Sequence, residues 1–563
     1  MRPRLLRRFL RRQPRTTPDK PTRTFTHNSP AALYNARPQL PFLSIPSRFQ
    51  RQQWRYLTTE RKTWLRREAI LSIKYTAYVW AIMACVASAA FAVQQEFLER
   101  QFPTPHEWSF RTRMLKRGAE AEKNRPDVVM ENWALISQMI KDVISRLEDP
   151  NADGKGLKIM GPESPAGTKD VSAMPEAWRR GYYEALLTYA RASEHVEGWV
   201  LDTTRKTVFP PDVVKGPSNP FPKPIPPGAK SAPREEDCVP AGFPSPDECY
   251  LKLLSTEGFT SKQRMDAALA YANWLEYKGV VGPAAIMYDD AVNLAIEEIY
   301  SPGAPLLIDP QTAVLSDKAD RRPSTNLLTS LTALATFKAR HEDPSAALPI
   351  LVSILKARRS LSSEPPQKSP DEQPAALYDG PKKDGPLQTV LNLFKPPPYP
   401  PPPSDGTSPP IRDSKELCEE AALDLHIGEI MYVLKESARE DGLAWTREGV
   451  DLAEEELHKV LQDDKDNREA KKACRECLAS GLDNWAAMVS RMVQEEEAAK
   501  AKGETKSSSG WFGLWSGGKV AEESGGRWAA EEKVLIERTV RAQQILEDLE
   551  KPNAGLMTSL LKA

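Results

Sequence analysis

The chain has 563 residues, 27% of them charged, with 77 basic against 77 acidic side chains and a mean hydropathy of −0.51. A polar average with only one uncharged apolar stretch excludes a multi-span channel or transporter, and the zero net charge hides two opposite charges. Residues 1–74 carry 18 Lys and Arg against Asp19, Glu60 and Glu68, a net +15, so the remainder nets −15.

"MRPRLLRRFLRRQPR" sets Leu5, Leu6, Phe9 and Leu10 among seven arginines, with no acid before Asp19. This amphipathic, Arg-rich, acid-poor pattern predicts a mitochondrial presequence over 1–45, cut at a point the residues do not define. The basic stretch 46–74 carries Trp54, Tyr56, Leu57, Trp64 and Leu65. It either lies on anionic lipid or serves as a topology signal. "YTAYVWAIMACVASAAFAV" (75–93) has no charged residue. Its nineteen residues span about 28 Å as a helix, close to the roughly 30 Å hydrocarbon core of a bilayer. Tyr75, Tyr78 and Trp80 suit the interface, and Lys74 can snorkel outward. One span predicts one anchor, with the basic flank on the matrix side and the acidic body in the intermembrane space.

After a juxtamembrane segment (94–126), residues 127–563 read as a helical-repeat domain. Apolar residues recur at helical spacing over 127–148, 175–201, 263–278, 283–300, 324–340, 345–360, 415–438, 443–462, 467–497 and 527–550. Strand-like alternation is scarce, which predicts an all-α fold. Proline-rich stretches at 205–247 and 361–413 break the pattern, because proline lacks the donor and blocks the preceding turn. Both are expected to be exposed loops.

Helices in successive pairs suggest a tetratricopeptide-like solenoid. In "MDAALAYANWLEYKGVVGPAAIMYDDAVNL" the small, large, small, aromatic, small series falls on Ala272, Leu275, Ala284, Tyr288 and Ala291. Ala335, Ala347, Leu351 and Ile354 repeat part of it, although Lys338 stands where an apolar residue belongs. Ile427, Gly428 and Met431 open a third frame.

No phosphate loop, dinucleotide fingerprint, HExxH or GxSxG is present, and the six histidines are scattered. The expectation is a non-enzyme with no catalytic, cofactor or metal residues. Cys474 and Cys477 form a CxxC within a helix, without a second pair at zinc spacing. Cys238 and Cys249 flank "VPAGFPSPDE"; they either bridge, closing a short loop, or remain free thiols. Trp511, Phe512 and Trp515 in "SSSGWFGLWSGGK" either form an interaction site or tuck against a helical flank.

The layout of presequence, one span, "FPTPHEW" (102–108) and degenerate repeats resembles the fungal substrate-adaptor subunit of the mitochondrial i-AAA protease complex. The resemblance implies partners of three kinds: the inner-membrane ATP-dependent protease with its other adaptor subunit, unfolded protein segments, and membrane lipid, with no nucleic acid. It also implies that first helices of repeats line the binding surface, here through Leu269, Asn273, Glu276 and Tyr277, while Ala272, Ala284, Tyr288 and Ala291 hold the hairpin. A scaffold or assembly factor for a respiratory or import complex would share the anchor and the repeats.

Overall fold

The computed structural model describes residues 59–125, 131–159, 168–225, 231–299, 307–309, 311–316, 322–341, 343–364, 399–462, 467–507 and 526–550. Residues 1–45, expected to be a presequence, residues 46–58 and Trp511, Phe512 and Trp515 lie outside them. The described residues form thirteen α-helices with five short strands, in two units, residues 1–91 and 92–563.

In the first unit the described chain is helical throughout. Helix α1 (Thr59–Gln101) is continuous for 43 residues, so the basic residues from Thr59 onward are already helical and the span has no separate start. None of its apolar window is buried within the protein. Tyr75, Trp80, Ile82, Met83 and Val86 all point to the outside, and the Lys74 ammonium lies 5.7 Å from the Tyr78 ring. The helix is long and apolar enough to cross a bilayer.

The second unit begins in the last turns of α1. Glu99 is buried there between Arg113, at 2.8 Å, and Arg117, both on α2 (Phe110–Lys123). Thr104 donates its backbone N–H and its hydroxyl to the same carboxylate. The "FPTPHEW" motif has a packing role. Trp108 is buried, and with Pro105 it fills the space left by Gly181, where a Cβ would come within 2.7 Å of both.

Helices α3 (Trp133–Glu148) and α4 (Glu176–Val196) build the first core. Ile136, Ile140, Val143 and Leu147 close on Trp178, Tyr182 and Leu186. The Asn132 side chain accepts from the Leu135 N–H and fixes the start of α3. A two-stranded ribbon, β1 (Lys158–Ile159) with β2 (Lys169–Asp170), joins them.

The stretch 205–247 departs from the expected loop. β3 (Val200–Asp202) pairs antiparallel with β4 (Thr207–Phe209) and with β5 (Cys238–Pro240), in the order β4-β3-β5. The turn after β3 is set by Asp202, whose carboxylate accepts from Thr204 and Arg205, and by Lys206 at φ 55°. Each strand is three residues long, too short for alternation to register in the sequence. Helix α5 (Pro246–Ser255) follows, with Ser245 accepting from the Glu248 N–H.

Two hairpins come next: α6 (Ser261–Tyr277) with α7 (Val281–Ile299), and α8 (Thr325–His341) with α9 (Pro344–Arg359). A complete capping box, Thr260 with Gln263, starts α6. Ala272, Leu275, Ala284, Tyr288 and Ala291 are all buried between α6 and α7, as the small-and-aromatic series requires. Lys338 stays half-exposed while its neighbour Phe337 fills the core, 4.8 Å from the Tyr288 ring.

The last core joins α10 (Ser414–Leu434), α11 (Arg439–Gln462), α12 (Arg468–Ser507) and α13 (Arg527–Glu550). Gly428 and Gly442 let α10 and α11 approach until their backbones touch. A disulfide joins Cys418 of α10 to Cys474 of α12, with Cα atoms 5.1 Å apart.

Of the two readings for Cys238 and Cys249, the fold takes the free-thiol one, and no bridge closes the loop between them. Cys238 is held in β5 opposite Asp202. Cys249 is buried in α5 against Ser193 of α4, and burial pushes its thiol up to about 11. Cys477, one turn from Cys474, is also a buried free thiol, pushed up to about 12.

Asp424, fully buried in α10, pairs at 3.2 Å with Arg359, which also reaches Glu448 at 3.1 Å and faces the Trp445 ring. Desolvation outweighs the guanidinium and raises the Asp424 carboxyl to about 7. A raised folded pKa means the native state holds a proton that the unfolded chain has lost, so this site's contribution is full below pH 4 and lost as the pH climbs to about 7. Asp424→Asn should therefore match the parent near pH 4.5 and gain progressively toward pH 7.5, by on the order of 4 kcal/mol. Urea midpoints of both chains across that range check it; a pH-independent difference would contradict the site.

Candidate partner-binding surface

The four residues expected on the binding face of the clearest hairpin have different fates. Leu269 is partly buried and packs into the core between α6 and its neighbours. Asn273 and Glu276 accept from the Tyr288 hydroxyl, at 2.5 and 2.8 Å. Glu276 also meets Arg340 at 2.9 Å and His341 Nε2 at 2.9 Å, both at the end of α8. One carboxylate thus ties α6 to α7 and to α8, which leaves it little capacity for a ligand. Asn273 and Tyr277 are the exposed ones of the four, and Tyr277, 87% exposed, is bound to none of the others.

Two hollows lie along these helices, the first of them beside this knot. One, of about 260 Å³, lies among α8, α9 and α10 and is lined by Arg340, Leu351, His426, Glu429, Ile430 and Val433. Burial, with Arg340 nearby, lowers the His426 pKa, so its imidazole is neutral at physiological pH. The other, of about 480 Å³, lies against α5, α6 and α7, with Leu254, Arg264, Met287, Asp290, Asn293 and Leu294 on its walls. Among the described residues no three His, Cys, Asp or Glu side chains gather as a metal site would require.

The surface that sequence reasoning missed is already occupied by the chain itself. Residues 399–408, at the end of the second proline-rich stretch, run across the first turns of α4, α6 and α8. Arg180 of α4 stacks on the Tyr399 ring, 4.3 Å from its centroid, and donates at 2.6 Å to the Pro400 carbonyl. Lys262 of α6 donates to the Ser404 carbonyl at 3.1 Å. At α8 the Asn326 side chain donates to the Asp405 carbonyl at 2.8 Å, and its N–H to that of Gly406 at 3.1 Å. The Thr325 N–H and hydroxyl both reach the Ser408 carbonyl. The first N–H groups of a helix have no partner within it, and those of α8 find theirs here. This end of 361–413 is the loop expected, exposed at most of its positions, and it is also bonded to three helices; 365–398 lies outside the described residues.

Compared with known proteins, the chain matches no family model, no curated protein and no solved structure.

Proposed function

We propose that this chain is a non-catalytic adaptor, anchored once in the mitochondrial inner membrane with its N-terminus in the matrix. Its tetratricopeptide-like body, in the intermembrane space, binds unfolded membrane and intermembrane-space proteins. It delivers them to the membrane-bound ATP-dependent i-AAA protease, beside that enzyme's other adaptor subunit. The observation that carries this reading is the union of one exposed 43-residue helix, with an apolar window long enough to cross a bilayer, and a body of successive helical hairpins.

Stacked hairpins offer an extended surface and bind without nucleotide. The anchor confines them to the plane of a membrane-bound partner, so that a weak substrate contact gains from local concentration. The Cys418–Cys474 bridge supports an oxidising compartment for the body. In a gentle-detergent pull-down through a C-terminal tag, read by mass spectrometry, the i-AAA protease should be the main co-purifying species. Recovery of respiratory or translocase subunits in its place would overturn the adaptor and favour a scaffold.

A further inference from the structure

We propose that the row of first turns of α4, α6 and α8 is a channel for extended polypeptide. Its own segment Tyr399–Ser408 fills that channel in cis, so that a chain in trans binds by displacing it. This rests on the adaptor reading and names how its substrate is held.

The argument starts from what the contacts read. The acceptors on the segment are the main-chain carbonyls of Pro400, Ser404, Asp405, Gly406 and Ser408. The donors are the charged and polar groups of Arg180, Lys262, Thr325 and Asn326, together with the backbone N–H groups that open α8. Every polypeptide offers carbonyls, so this recognition is nearly blind to sequence, as an adaptor for unfolded proteins requires. Pro400–Pro403 contribute no N–H and favour the extended polyproline conformation, whose backbone is open to outside partners. Their side chains are exposed and touch little.

Two side-chain positions do discriminate. Tyr399 lies under the Arg180 guanidinium. Gly406 is buried at φ 72°, where a Cβ would collide with the Asn326 side chain. The preferred occupant is therefore an extended stretch with an aromatic residue and, seven positions later, a glycine. Segments buried in folded proteins cannot present themselves this way, whereas unfolded ones can.

The test uses the full chain in detergent with two probes: a fluorescent ten-residue peptide of the sequence Tyr399–Ser408, and reduced, carboxymethylated lactalbumin as a permanently unfolded chain. Tyr399→Ala with Gly406→Ala should weaken the cis contact and raise affinity for both probes at least tenfold. Adding Arg180→Ala should remove most of that gain. If parent and variant bind both probes alike, with no competition between the probes, the channel is wrong while the adaptor reading stands. If the variant gains the peptide but ignores the unfolded chain, the channel stands and the adaptor reading falls. On the unmodified protein, saturating carboxymethylated chain should speed hydroxyl-radical labelling of the Tyr399 ring, now covered by the Arg180 guanidinium, at least twofold. Unchanged rates with that chain bound would overturn displacement, whether or not the variants fold.

Discussion

Replacing Cys418 and Cys474 together by alanine is expected to cost about 4 kcal/mol, which disulfide closure of a loop this long implies. The two cysteines stand 56 residues apart and enclose the whole of α11. Their bridge joins α10 to α12 across the core that also holds Leu425, Leu443, Val450 and Leu478. The loss should be confined to the last helices. Hydrogen exchange would show α10–α13 opening first, while α3 and α4, with a core of their own, keep their protection. Cys477 cannot take over the bridge, since the double variant leaves it no Cys418 to join. A double variant as stable as the parent in non-reducing urea melts would show the bridge to be dispensable.

Glu99→Ala is the second large effect. It would leave Arg113 and Arg117 without their shared counter-charge in a buried setting, and Arg117 already has one terminal nitrogen unpartnered. Removing one member of a buried pair typically costs 3–5 kcal/mol, most of it the desolvation of the orphaned charge. Replacing Glu99, Arg113 and Arg117 all by apolar residues should restore most of the loss, since no charge then remains buried. Limited proteolysis at 102–109 in detergent reads both outcomes. A Glu99→Ala chain cut no faster than the parent would refute the network.

The helices were legible because amphipathic periodicity persists over three or more turns. The α6/α7 hairpin was legible in detail, since Ala272, Ala284, Tyr288 and Ala291 are small or aromatic for reasons of close packing. Boundaries were less so. The span reads as nineteen residues, yet α1 continues for sixteen residues before it, because Trp64, Arg66 and Arg67 form helix as readily as any flank. Helices α2 and α5 were not anticipated, being short and set beside prolines.

The site was harder to foresee for a different reason. A repeat frame says which face Glu276 occupies, but not that the end of α8 reaches over to claim it. The Cys418–Cys474 pairing is a contact between distant helices, whereas proximity in sequence pointed only to Cys238 and Cys249 and left bridge and free thiols open. The occupied channel is bonded through carbonyls, which every residue carries and no motif records.

The meeting of α10 and α11 limits the chain's freedom to vary. A Cβ added at position 428 would come within 2.7 Å of the Gly442 carbonyl oxygen, and one added at 442 within 2.6 Å of the Gly428 carbonyl oxygen and the Tyr432 nitrogen. At 428 the Thr446 hydroxyl, at 2.6 Å, adds to the obstruction, but in each case a carbonyl oxygen of the main chain, which every residue carries, stands in the way by itself. A change at either glycine therefore has no suppressor in trimming the opposing side chain, and the two positions are closed to the alphabet one at a time and together.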